Sequence, residues 1–213
     1  MKKVYIILLS FLLTTHLVIS QSKLNKLQSD IVSSVEKHSE NLINISDQIW
    51  RLAETAFNEH ESSKILSDYA EKNGFSIEKG VAGMPTAFIA TYGQGKPVIG
   101  VLGEFDALPG LSQQTEPVKS PITEGGAGHG CGHNMFGSGS LGAAIAIKEM
   151  IEQGKISGTI KFFGTPSEEK YFGKIWMVEA GLWDDVDVNI SWHPGANTEA
   201  DVQSSLALID FKV

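Results

Sequence analysis

The sequence predicts an α/β fold in which helices and strands are layered around a sheet. Segments with helical apolar spacing alternate with short apolar strands. The run Val98-Ile99-Gly100-Val101-Leu102 carries no polar residue, as expected of a strand covered on both faces. A length of 213 residues suffices for one or two domains.

The first helix is expected over residues 30–57, where Ile31, Val35, Leu42, Ile45, Ile49, Leu52 and Ala53 recur mostly at three- and four-residue steps. A second covers residues 61–72 and stops at Asn73-Gly74. Strands follow over residues 86–92 and 97–103, separated by a Gly-Gln-Gly-Lys turn. Residues 104–132 form a Gly-, Pro- and Ser-rich loop, of a length that usually accompanies function. A helix of small residues is expected over 138–152, packing through Leu141, Ala144, Ile145 and Ile147. Then come a strand over 159–163, a short helix near 174–180 and a strand over 186–192. Residues 204–213 read as an apolar strand still in progress, so the chain is expected to be incomplete.

The N-terminus has a different character. Lys2 and Lys3 precede an apolar run over residues 4–13, and Val18 and Ser20 are spaced for cleavage before Gln21. The run is shorter than the about 20 residues of a membrane span. Residues 1–20 are therefore read as a secretory signal and 21–213 as the folded part. The expected location is the periplasm or the cell exterior, with no stable membrane insertion once the signal is removed. A net charge of −8 without a basic stripe excludes nucleic acid as a partner. The one cysteine, Cys131, cannot form an intramolecular disulfide, and its neighbours favour a chemical role.

Four segments carry that chemistry, each at the end of an expected strand or the start of an expected helix, where α/β sheets collect ligands. They are Gly103-Glu104-Phe105-Asp106-Ala107-Leu108-Pro109, Gly128-His129-Gly130-Cys131-Gly132-His133-Asn134, Gly164-Thr165-Pro166-Ser167-Glu168-Glu169 and Trp192-His193-Pro194. Cys131 and His133, two residues apart on a glycine-loosened backbone, can aim sulfur and nitrogen at one ion, a mixture that zinc accepts. A Glu-Glu pair lets one carboxylate bind metal while its neighbour takes a proton from water. His193 supplies a further nitrogen. Singly, each has an ordinary reading: a hydrogen-bonded strand-end histidine, a solvated acidic face, a small buried thiol. Their joint occurrence at four such places does not. His16 falls in the signal, and His38 and His60 lie in polar helical surroundings and receive no role.

In order and spacing these motifs resemble the dimetal aminoacylase/carboxypeptidase peptidases, specifically the amidohydrolase branch with a cysteine in the metal site. The similarity extends over nearly all of the chain beyond the signal. It implies a catalytic domain built on a mostly parallel mixed sheet flanked by helices, and two divalent ions, zinc or manganese. By the same resemblance Cys131, His133, Glu169 and His193 are metal ligands, Glu168 is the general base, and Asp106 orients a ligand. Glu104 stands where other branches carry a metal-binding histidine, and Asn134 replaces an aspartate common among related amidohydrolases. The family architecture continues, after a strand such as 206–213, into a smaller α+β domain for dimerisation, and then returns with one more metal-binding histidine. A full-length dimer is thus implied. The expected reaction is hydrolysis of an amide bond in a small-molecule N-acyl, aminobenzoyl or dipeptide-like amino acid. Two rivals stand beside it: a non-catalytic metal- or ligand-binding module, and a cysteine hydrolase using Cys131 with His133 or His193 as base. The close Cys-Gly-His spacing and the Glu-Glu pair weigh against the second.

Overall fold

The computed structural model describes residues 24–198. The expected signal and the apolar strand expected over 204–213 lie outside them. In chain order the elements are α1 (Lys26–Leu52), α2 (His60–Lys72), β1 (Ser76–Lys79), a 3-10 turn (Val81–Gly83), β2 (Phe88–Gln94) and β3 (Val98–Glu104). They continue with α3 (His133–Glu152), β4 (Gly158–Thr165), the single turn α4 (Glu168–Tyr171), α5 (Gly173–Glu179) and β5 (Val188–Ile190). None of the described helices is long and apolar enough to cross a membrane.

The strands form one mixed sheet in the order β1-β2-β4-β3-β5. Parallel pairing is confined to β4, β3 and β5, while β2 runs antiparallel to both β1 and β4. Side chains alternate across the pleat. Phe88 and Ala90 of β2 and Ile160 and Phe162 of β4 face one core, shared with Ile45 and Ile49 of α1, Leu66 of α2, and Leu141 and Ile145 of α3. Ile89 and Phe163 face the other way, onto Met84 and Met177 with Leu182 and Trp183 at the margin. Helical layers thus cover the sheet as the sequence predicts.

Where boundaries differ, local caps and turns together with tertiary contacts explain the difference. A capping box starts α1 early: Asn25 Oδ1 accepts from the Gln28 N–H, and Gln28 Oε1 accepts from the Asn25 N–H, each at 2.9 Å. The helix ends at Leu52 and not at 57, because the Glu54 carbonyl accepts from the Ala107 N–H at 2.8 Å and Thr55 bridges Ala107. Helix α3 starts five residues before the expected Ser138, straight through a run of glycines that lowers helix propensity. Close approach is the reason. A Cβ at Gly142 would lie 2.6 Å from Leu42 Cδ1, and one at Gly137 would lie 2.7 Å from the Glu104 carbonyl oxygen. Strand β5 is shorter than the expected 186–192. Val186 belongs to a turn closed by its N–H on the Trp183 carbonyl, and the Asp187 carboxylate accepts from the Val98 N–H at 2.8 Å.

His38, expected on a polar surface, is buried between helices. Its Nε2–H faces Glu149 Oε1 at 3.0 Å, leaving Nδ1 to accept from the Tyr69 hydroxyl at 2.9 Å. Ser34 and Lys37 also donate to Glu149, each at 2.8 Å. Burial opposes charge on Glu149, but the donors Lys37, His38 and Ser34 outweigh it and hold the carboxyl at about 2, against 4.5 for a free glutamate. A lowered carboxyl pKa adds stability that is present above 4.5 and is lost as pH falls toward 2. Glu149→Gln is therefore expected to destabilise the fold by about 1–3 kcal/mol at pH 7, after allowance for the solvent-exposed Lys37. Urea unfolding of both proteins across pH 2–7 checks this: the gap should narrow steadily below pH 4.5, and a pH-independent gap counts against it.

Candidate metal centre

The parallel half of the sheet delivers the site. β3 ends on Glu104, with Asp106 two residues beyond, and its neighbour β4 ends at Thr165 in register with Glu104. The chain beyond β4 turns at Ser167, in the left-handed region at φ 57°, and presents Glu168 and Glu169. Gly132, left-handed at φ 80°, opens α3 and sets Cys131 and His133 on either side of itself. His193 arrives from the segment after β5. All six residues singled out in the sequence meet outside the carboxyl ends of these strands.

His133 is the hub, and its side chain is fully buried. Its Nδ1 lies 2.9 Å from Asp106 Oδ1; a carboxylate only accepts, so Nδ1 carries a proton. The second Asp106 oxygen accepts from the Glu169 N–H at 2.9 Å. His193 Nδ1 lies 2.9 Å from the Pro194 carbonyl, which likewise only accepts. In their neutral forms both imidazoles therefore turn a bare Nε2 inward, and those two nitrogens are 3.4 Å apart. Cys131 Sγ sits 3.4 Å from His193 Nε2. Donor atoms of Cys131, His133 and His193 lie within 4.8 Å of one another, as do those of Glu104, His133 and Glu168. Around His133 Nε2 stand Glu104 Oε2 at 2.9 Å, Glu169 Oε1 at 3.8 Å and Glu168 Oε2 at 4.0 Å.

With both imidazoles neutral, the inward nitrogens of His133 and His193 and the Glu104 and Glu169 oxygens set acceptor against acceptor, an arrangement that a proton on His133 or a bound cation relieves. Glu104 Oε2 and Glu169 Oε1 are buried and have no hydrogen-bond partner, the 2.9 Å approach of His133 to Glu104 being poorly angled for one. Orphaned buried carboxylate oxygens are costly unless a cation satisfies them. The electrostatics agree. Burial disfavours a charged His133, yet Asp106 and Glu104 overcome it and raise the imidazole to about 10. Burial and then the charges of Glu169, Glu168 and Glu104 push the Cys131 thiol up to about 12. Burial likewise raises Glu169. A nucleophilic cysteine needs the opposite electrostatic environment, so the surrounding carboxylates weigh against the cysteine-hydrolase alternative even though His193 Nε2 lies 3.4 Å from the sulfur. Thiol, imidazole and carboxylate are a donor set that fits zinc or a similar divalent ion.

Several neighbours gave little warning in the sequence. Lys174 of α5 pairs with Glu104 Oε1, and together with His133 this overcomes burial and lowers the Glu104 pKa. Glu59, fully buried, accepts from the Ser167 N–H at 2.9 Å. Neither lies in a recognisable motif, and Glu59 is flanked by the polar Asn58, His60 and Glu61, so nothing local marks it as buried. His129 anchors the loop to α1 through the Ile49 carbonyl at 3.0 Å. Asn134 turns to α1, its amide donating to Ser46 Oγ at 2.9 Å.

A mixed sheet with this cluster at its strand ends defines a metallopeptidase-type catalytic fold, and the chain belongs to peptidase family M20/M25/M40, whose family model matches residues 100–206. It is 44% identical over 183 residues to a p-aminobenzoyl-glutamate hydrolase subunit of Escherichia coli (strain K12), a match covering 82% of this chain and 38% of that protein. It is 28% identical over 193 residues to the Xaa-Arg dipeptidase of Mus musculus, covering 85% and 41%. Among solved structures it is similar to the Bacillus subtilis YXEP protein, a dinuclear metal binding peptidase of family M20. There the TM-score is 0.62 at 26% identity, covering 72% of this chain and 42% of that one. The aminobenzoyl-glutamate utilization protein of Klebsiella pneumoniae shares the fold, with a TM-score of 0.59 at 17% identity over 78% and 46%. The chain thus spans about two fifths of the length of the curated relatives it matches.

The anionic surroundings of Cys131 make a measurable prediction. In chelator-treated protein its alkylation by iodoacetamide at pH 8 should be at least about tenfold slower than that of a free thiol, whose pKa is about 8.5. Labelling should still be rising at pH 10, and Glu169→Gln should accelerate it. A rate that levels off near pH 9 in the wild-type protein would contradict the assigned environment.

Proposed function

We propose that the chain carries the metal-binding and proton-transfer face of a metal-dependent hydrolase that cleaves amide bonds in N-acyl or aminobenzoyl amino acids. One observation carries the reading: two imidazole Nε2 atoms, one thiol and two unpartnered buried carboxylate oxygens converge at the strand ends. Family membership and the similarity to an aminobenzoyl-glutamate hydrolase subunit support the reaction class and an aryl-acyl substrate. The dinuclear centre of the YXEP protein supports two divalent ions, for which zinc or manganese suits these donors.

Cys131, His133, Glu169 and His193 would hold the ions. Bound ions would supply Lewis acidity, polarising the substrate carbonyl and making water a better nucleophile near neutral pH. The residues of this chain do the rest. Asp106 fixes the tautomer and orientation of His133 and, through the Glu169 amide, the start of α4. Glu168, whose side chain is the more exposed of the pair at 36% against 15%, faces solvent at the rim of the cluster. From there it takes a proton from the attacking water and returns it to the leaving nitrogen. Lys174 balances the Glu104 charge so that the buried carboxylates can gather at one place.

Two wider expectations belong to the same proposal. Lys2, Lys3 and the apolar run that follows support export to the periplasm or beyond. The designation of the E. coli relative as a subunit supports an assembly of more than one polypeptide, which we read as a dimer.

The test uses a polypeptide extended to the length of the relatives, assayed on aminobenzoyl-glutamate and N-acetyl amino acids with metal content measured alongside. Glu168→Gln should retain its metal and lose about 10²–10⁴-fold in kcat, the usual general-base contribution. Cys131→Ala should instead lower metal occupancy. Near-wild-type kcat in metal-loaded Glu168→Gln removes Glu168 from the role, and full occupancy in Cys131→Ala removes the thiol.

A further inference from the structure

Among the described residues Glu59 is the most deeply buried carboxylate outside the cluster, and its position is informative. Its residue is fully inaccessible, as are both of its side-chain contacts, Thr86 and Ser167. Oε1 accepts from the Ser167 N–H at 2.9 Å, and Oε2 accepts from the Thr86 hydroxyl at 3.2 Å. Ser167 holds a left-handed backbone at φ 57° and ψ 40°, a conformation that a residue with a Cβ adopts only when its surroundings enforce it. Immediately beyond it is Glu168. On the far side of Glu168, the Glu169 N–H is taken by Asp106 Oδ2 at 2.9 Å. Two buried carboxylates from different parts of the chain therefore hold the amides before and after one residue.

The strap that carries Glu59 is itself tied to Asp106. The Glu54 carbonyl accepts from the N–H of Ala107, the residue after Asp106, and Thr55 bridges Ala107. Glu54 also caps the start of α2, its carboxylate accepting from the Ser62 N–H and hydroxyl at 2.8 and 2.7 Å. The short stretch between α1 and α2 is thus a rigid bracket with one arm on the Asp106 loop and one on the Ser167 turn.

We propose that Glu59 is a positioning residue for the hydrolytic reaction: by holding the left-handed Ser167 amide it fixes where Glu168 presents its carboxylate. The inference rests on the reading of Glu168 as the base. It requires an acceptor at Oε1, not a negative charge, so glutamine can replace glutamate there and an aliphatic side chain cannot. Such a residue acts on turnover and leaves substrate binding nearly untouched, since small displacements of a reacting group cost rate first.

The experiment compares wild type, Glu59→Ala, Glu59→Gln and Glu168→Gln in the metal-loaded, full-length protein. Amide hydrogen exchange of the peptide spanning residues 167–171 should accelerate about tenfold or more in Glu59→Ala, with the β3 peptide spanning 98–104 unchanged. kcat should fall about 10–100-fold with KM within about threefold and metal content intact. Glu59→Gln should restore both exchange and kcat to within about threefold of wild type. Should Glu59→Ala fail to fold, Glu59→Met keeps the volume while removing the acceptor and takes its place. Unchanged exchange at 167–171, exchange raised equally in β3, or a glutamine variant as impaired as the alanine one would each overturn the proposal. Glu168→Gln separates the two readings: if it keeps its kcat the base assignment fails, while exchange at 167–171 still decides whether Glu59 holds the turn.

Discussion

The buried pair of Asp106 and His133 is the contact on which the site depends. Both side chains are wholly removed from solvent, so neither can trade its partner for water. Such a pair is costly to bury, and geometry good enough to hold it also fixes the groups around it. Asp106 uses one oxygen on the imidazole and the other on the backbone of Glu169. Through one carboxylate the end of β3, the start of α3 and the turn after β4 are locked together. The orientation of His133 Nε2 then follows, and with it the facing of His193 and Cys131 toward a common point.

That lock is possible because the surrounding packing is close. Helix α3 descends onto the sheet through small residues, and Leu42 of α1 and the carbonyl of Glu104 occupy space that larger side chains would need. The same residues that weaken α3 as an isolated helix bring its first turn against the strand ends. Packing supplies what propensity lacks. On the opposite side of the sheet, Phe163 stacks on Trp183 with ring centroids 4.7 Å apart, and this second core supports the turn that bears α5 and Lys174.

Much of this was legible in the sequence, for identifiable reasons. β3 announced itself because a strand buried on both faces must be apolar throughout, and β4 through Ile160, Phe162 and Phe163 despite the Lys161 between them. Cys131, His133, Glu168, Glu169, Asp106 and His193 stood out because each is a reactive type at the end of such a strand or the start of a helix. What stayed hidden depends on partners far along the chain. Ala107 draws Glu54 and Thr55 out of the helical continuation of α1. His38 looked exposed because Glu149, which buries it, lies 111 residues away. Glu59 and Lys174 act through Ser167 and Glu104, and no local spacing can reveal pairings of that kind. The six-residue cluster could be named from its motifs; the bracket that holds it could not.

The strand order has a consequence for how the chain reaches this arrangement. β4 lies between β2 and β3, so the two strands made earlier have no contact with each other in the sheet. β1 and β2 can close locally as an antiparallel pair, but β3, among the most apolar segments, has no strand to pair with until β4 emerges more than fifty residues later. On a ribosome that interval lasts seconds, long compared with hydrophobic collapse. The central strand arriving late makes assembly dependent on contacts distant in sequence, the regime in which folding is slow and partly formed sheets are prone to association. Glycines at positions 100 and 103 interrupt the waiting β3 with residues of low strand propensity. Residues that admit Phe162 and Asn189 in the finished sheet thus also temper the stickiness of the strand before its partner exists.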